Sequence, residues 1–98
     1  MQIEKNADKL VKTLRVRITD QPGYLGRLCS AIGTAEANVG EIRLVSVGRT
    51  HILRDISIYV DDEAHLQRVL VMVGELEGIK LFEVIDPEAA HRSGVSRL

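Results

Sequence analysis

Tryptophan is absent from this 98-residue chain, and only two tyrosines and one phenylalanine supply aromatic surface. A core must therefore be built from Leu, Ile and Val. A sheet that reads RNA by stacking bases on aromatic side chains is poorly supplied. Cysteine is nearly missing as well. Cys29 alone excludes an internal disulfide and the paired-thiol loop of a metal chaperone, and it fits a reducing, cytoplasmic setting. Neither charge sign dominates, since 13 Lys and Arg face 14 Asp and Glu, so the basic face of a nucleic-acid binder is not expected. No apolar run approaches the roughly 20 residues of a membrane span. The opening MQIEKNADKL has no apolar h-region, so no secretory signal is expected. No glycine-rich dinucleotide fingerprint follows any candidate strand, so no cofactor is expected in this segment. What remains is the length of one small domain. Such a core is marginal alone, so pairing with a second copy, or with a neighbouring domain, is expected.

Hydrophobic periodicity orders the chain. Leu14, Val16 and Ile18 alternate with Arg15, Arg17 and Thr19, as in a half-buried strand, up to the turn Asp20-Gln21-Pro22-Gly23. Leu25, Leu28, Cys29 and Ile32 then form one helical stripe. Gly33 within it predicts close packing, and Asn38 is placed at the helix end in a left-handed conformation. Val39 and Ile42, three apart, cannot share a regular strand face. A bulge near Gly40-Glu41 would align Val39, Ile42 and Leu44. A turn at Gly48-Arg49-Thr50 leads into a second alternating run, Ile52 to Val60, which predicts an antiparallel hairpin. Asp61-Asp62-Glu63 opens a helix carrying Leu66, Val69, Leu70, Val73 and Leu76, with Gly78 as its C′ glycine. Ile79 to Ile85 is a strand with apolar residues on both parities, which predicts either cover on both faces or a place at a contact. The order predicts an α+β, ferredoxin-like βαββαβ sandwich: a four-stranded antiparallel sheet with two helices on one face.

That architecture serves many functions, so sites must decide. No nucleophile, base and orienting group are spaced for catalysis, so no catalytic residue is assigned. His51, His65 and His91 match no zinc spacing; solvated or capping roles suffice, and no metal is expected. Cys29 reads as a small buried hydrophobe. The Arg15 and Arg17 pair reads as a wet face. The weightier feature is the turn formed by Asp20, Gln21, Pro22, Gly23, Tyr24 and Leu25, which feeds a helix N-terminus whose amides can hold a carboxylate. Asn38, Val39 and Gly40 open the next strand and are expected beside that turn, making one pocket with it. The plainer alternative is that Pro-Gly is a turn and Asn-Val-Gly a cap with a bulge.

The strand followed by D-Q-P-G-Y-L-G-R-L, and N-V-G-E-I after the helix, resembles the ACT domain family across Thr13 to Asp86. V-G-E-I-R-L-V, L-R-D-I-S-I, D-D-E-A-H, G-I-K-L and a trailing His-x-x-Gly are similar to the N-terminal ACT domain of bacterial NAD-dependent malic enzymes. His91-Arg92-Ser93-Gly94-Val95 replaces the His-x-Gly-Gly-Lys type of junction. The resemblance implies a lead-in at 1–12, a regulatory domain at 13–86, and a tail at 87–98 leading to a covalently linked catalytic domain. It implies a cytoplasmic homodimer that binds an amino acid or related small effector and is not itself an enzyme. Asp20, Gln21, Pro22, Gly23, Tyr24, Leu25, Asn38, Val39 and Gly40 would line the effector site. Arg54, Asp55 and His65 match the malic-enzyme subgroup without an assigned chemistry. The competing reading is a ligand-independent dimerisation module.

Overall fold

Leu14, Val16 and Ile18 lie on one side of the first strand, and Ile56, Ile58 and Val60 share that side on its neighbour, all nearly without solvent contact. Two helices close over this aliphatic floor with Leu28, Ile32, Leu66, Val69 and Val73. Full burial of each such side chain is worth about 1.5–3 kcal/mol, which makes this single layer the chief source of stability. The computed structural model describes residues 9–86. Its order is β1 (Leu10–Thr19), α1 (Tyr24–Thr34), β2 (Asn38–Val47), β3 (His51–Val60), α2 (Glu63–Gly74) and β4 (Ile79–Ile85). The sheet runs β2-β3-β1-β4, and all neighbours are antiparallel. This is the ferredoxin-like α+β sandwich expected from periodicity. Among the described residues no helix is long and apolar enough to cross a membrane. Residues 1–8 of the lead-in, the tail at 87–98 and His91 lie outside the described residues.

The bulge near Gly40 is present. Val39 pairs with Ile58, Ile42 with Ile56 and Leu44 with Arg54, so the three share the helix-side face across the extra residue. A second shift between Leu44 and Ser46 has no glycine to announce it. In β4 the two apolar parities have a cause in the register, and the side away from the helices is not covered at Phe82 within the chain. A register shift opposite Arg15 and Val16 lets Ile79, Leu81 and Val84 all lie beside Ile18, Val16 and Leu14. Phe82 falls at that irregularity and is exposed. β1 also begins before Thr13, because Leu10, Val11 and Lys12 continue the ladder to Val60, Tyr59 and Ile58. Lys12 interrupts the apolar parity there and reaches Asp86 instead.

Three helix-end expectations change. The left-handed residue after α1 is Glu36, with φ 68°, and not Asn38, which starts β2. Ala37 N–H donates to Ile32 O and Glu36 N–H to Gly33 O, the paired bonds of a Schellman ending. Gly33 faces open space, so tight packing is not its reason. Gly78 does have positive φ, 80°, but it lies beyond the α2 end at Gly74 and shapes the entry to β4.

Candidate functional site

The turn after β1 is held from both sides. Asp20 N–H donates to Thr50 O at 2.9 Å, and Thr19 N–H and Oγ1 both donate to Gly78 O, at 3.0 and 2.9 Å. Gly23 then takes φ 92° at the α1 N-cap, and no side chain caps that end. Within the first turn Tyr24 N–H makes a long bond to Gln21 O, at 3.4 Å, and the amides that follow have no side-chain acceptor. Tyr24, half-buried, lies so close to Gly78 that a Cβ there would sit 2.4 Å from its ring. Arg27 stacks on the same ring, 4.6 Å from its centroid. Tyr24 is therefore a structural pin of the turn as well as a candidate site residue. Asp20, Gln21, Pro22 and Gly23 are exposed around it, with Leu25 half-buried.

Asn38, Val39 and Gly40 are not beside this turn, which corrects the expected single-chain pocket. Asn38 pairs with Tyr59, whereas Thr19 pairs with His51, eight residues along β3. At roughly 3.3 Å per residue the two segments lie about 26 Å apart, at opposite ends of the sheet. The cause is the crossover: α1 carries the chain back, so β2 starts at the end where β1 starts. Gly40 also has its own structural reason, since a Cβ there would stand 2.9 Å from Tyr59 Cε2.

Other residues acquire partners that spacing does not reveal. Arg15 and Asp55 face each other on β1 and β3, on the sheet face without helices. Arg15 Nε donates to Asp55 Oδ1 and Nη2 to Oδ2, both at 2.8 Å, with Asp55 only 3% exposed. The hydrogen bond to Asp55 raises the guanidinium pKa above its ordinary value, against the opposing effect of burial. His65 is enclosed. Asp61 N–H donates to its Nδ1, so the proton sits on Nε2, which donates to Ala35 O at 2.7 Å. Asp62 Oδ1 meanwhile accepts from His65 N–H, so one residue ties the α2 start to the α1 end. Burial raises the thiol pKa of half-buried Cys29, consistent with a structural residue. No cluster of three metal-ligating side chains occurs among the described residues.

Arg54, which the L-R-D-I-S-I motif marks without a chemistry, gains a setting in the structure. It shares the helix-side face with Val16 and Leu44, half-buried, and has no carboxylate partner among the described residues. Its signal was a lone cation at an otherwise apolar parity, between Ile52 and Ile56. Beside it the edge strand β2 shows Ile42, Leu44, Val45 and Val47 to solvent, four of the seven exposed large apolar residues described. An edge with that composition is a template for another chain.

The comparisons agree with the architecture. Residues 7–81 match the family model described as "ACT domain". The chain is 38% identical over 90 residues to "NAD-dependent malic enzyme 1" of Bacillus subtilis (strain 168). That match covers 90% of this chain and 20% of the relative, so the chain spans about a fifth of the relative's length.

Proposed function

The chain belongs to the ACT domain family, and from that premise we propose that it is a regulatory, non-catalytic module that binds an amino acid or related small effector as a homodimer. The observation carrying the proposal is the exposed apolar β2 edge. Two β2 strands pairing antiparallel across a two-fold axis would run in opposite directions. Asn38, Val39 and Gly40 of the partner subunit would then lie toward the Asp20 turn and the uncapped α1 end. The site divided within one chain is completed between two. An effector carboxylate meets the amides near Gly23 and Tyr24, and its ammonium or hydroxyl meets Asp20 or Asn38. Arg54, on the same face as the β2 edge, adds a second anchor for a carboxylate. Ordering this interface biases one quaternary arrangement over another, which is how binding without chemistry regulates.

The likeness to a malic enzyme supports placing the domain in a cytoplasmic, NAD-dependent malate oxidoreductase, with the tail at 87–98 leading to its catalytic region. Sedimentation and calorimetric titration with amino acids and dicarboxylates test the reading together. The parent chain is expected to be dimeric and to bind one class of effector. Leu44→Asp should give a folded monomer whose effector affinity falls by roughly tenfold or more, although Asp20 and Asn38 are intact. A dimer that binds none of these compounds would leave only the assembly-module reading. A monomer that binds as tightly as the parent would refute the shared site.

A further inference from the structure

On the sheet face without helices, Arg17 of β1 stands directly across from Lys80 of β4. Like charges opposite one another on antiparallel strands repel. The neighbouring cation on that face, Arg15, has the Asp55 carboxylate in a two-point bond and Glu83 across the ladder. Arg17 and Lys80 have no such relief, since no carboxylate lies within ion-pair distance of either among the described residues. His51 completes the group, with Nε2 3.5 Å from Arg17 Nη2. The other ring nitrogen of His51, Nδ1, is hydrogen-bonded to Thr50 Oγ1 at 2.7 Å. A contact of 3.5 Å satisfies little of Arg17's five-donor fork. These side chains, with Gly78 and Ile79, line a cavity of about 190 Å³.

We infer that this cavity binds a small anion carrying two negative charges, the chemistry shared by a phosphate group and a compact dicarboxylate. Size decides the class. The cavity holds about six waters at roughly 30 Å³ each, below the roughly 300 Å³ at which pockets for larger ligands begin. Arg17 supplies a planar fork for two oxygens and Lys80 a point charge opposite it. Gly78 links the cavity to the rest of the fold, because its carbonyl holds Thr19 and its Cα lies under Tyr24. An anion here would tie β4 to β1 and stiffen the Asp20 turn from the opposite face of the sheet.

Nitrogen-15 spectra of the 98-residue chain, titrated separately with inorganic phosphate and with succinate against chloride at equal ionic strength, test the inference. Saturable shifts are expected at Arg17, His51 and Lys80. Arg17→Gln and Lys80→Gln should each weaken binding by roughly tenfold, the loss of one charge-assisted contact, with the remaining spectrum unchanged. Saturation by both anions supports recognition of the shared charge, and saturation by one identifies the source. Equal shifts with chloride, an unaltered isotherm in Arg17→Gln, or no saturation by either dianion would overturn it. Shifts confined to the Asp20 turn would overturn it too, while leaving the effector reading intact.

Discussion

Gly78→Ala is the substitution whose cost the structure specifies most fully. The backbone there has φ 80°, a region that a Cβ makes unfavourable by about 1 kcal/mol. The new methyl would also meet Tyr24 Cε1 at 2.4 Å and Thr19 Oγ1 at 3.0 Å. Carbon atoms prefer about 3.5–4.0 Å, so the ring must move by more than about an ångström and leave Arg27. Overpacking of that kind adds about 1–3 kcal/mol, giving a total near 3 kcal/mol. For a domain of this size that lowers Tm by about 12–24 °C. Thermal and guanidinium unfolding, followed by circular dichroism at one protomer concentration, measure it, because association also contributes to stability. A double-mutant cycle separates the two causes. In a Tyr24→Ala background the backbone cost of about 1 kcal/mol and the lesser Thr19 contact should remain, leaving a coupling of at most about 2 kcal/mol. An equal penalty in both backgrounds would show that the ring is not the obstacle, and the Tyr24 pin would have to be abandoned.

His65→Ala should destabilise by about 3 kcal/mol, because it strands Asp61 N–H and Ala35 C=O and leaves a cavity where a side chain was 1% exposed. Hydrogen exchange should quicken together at the α1 end and the α2 start, and acceleration at only one of them would contradict the tie. Glu36→Gly should stabilise by about 0.5–1 kcal/mol in denaturant unfolding, since glycine adopts φ 68° without a steric cost. A loss of stability there would mean that the Glu36 side chain contributes more than its backbone strain removes.

Local pattern was enough to identify the six elements, their order and most of the core. Side-chain periods of 2.0 and 3.6 belong to a segment regardless of where its partner lies. The Gly40 bulge was legible for the same reason: Val39 and Ile42 are three apart yet both need cover. Features that depend on what stands opposite were not. The shift in β4 that frees Phe82, the two-point bond between Arg15 and Asp55 forty residues apart, and the Tyr24 ring over Gly78 exist only once strands are in register. The candidate site divides along that line. The turn at Asp20 to Leu25 could be read from Pro-Gly before a helix. Its distance from Asn38 was set by the crossover, because a helix returning along the sheet must start the next strand at the far end. Sequence chose the segments, and three-dimensional pairing alone decided that the Asp20 turn and Asn38 lie at opposite ends of one chain's sheet.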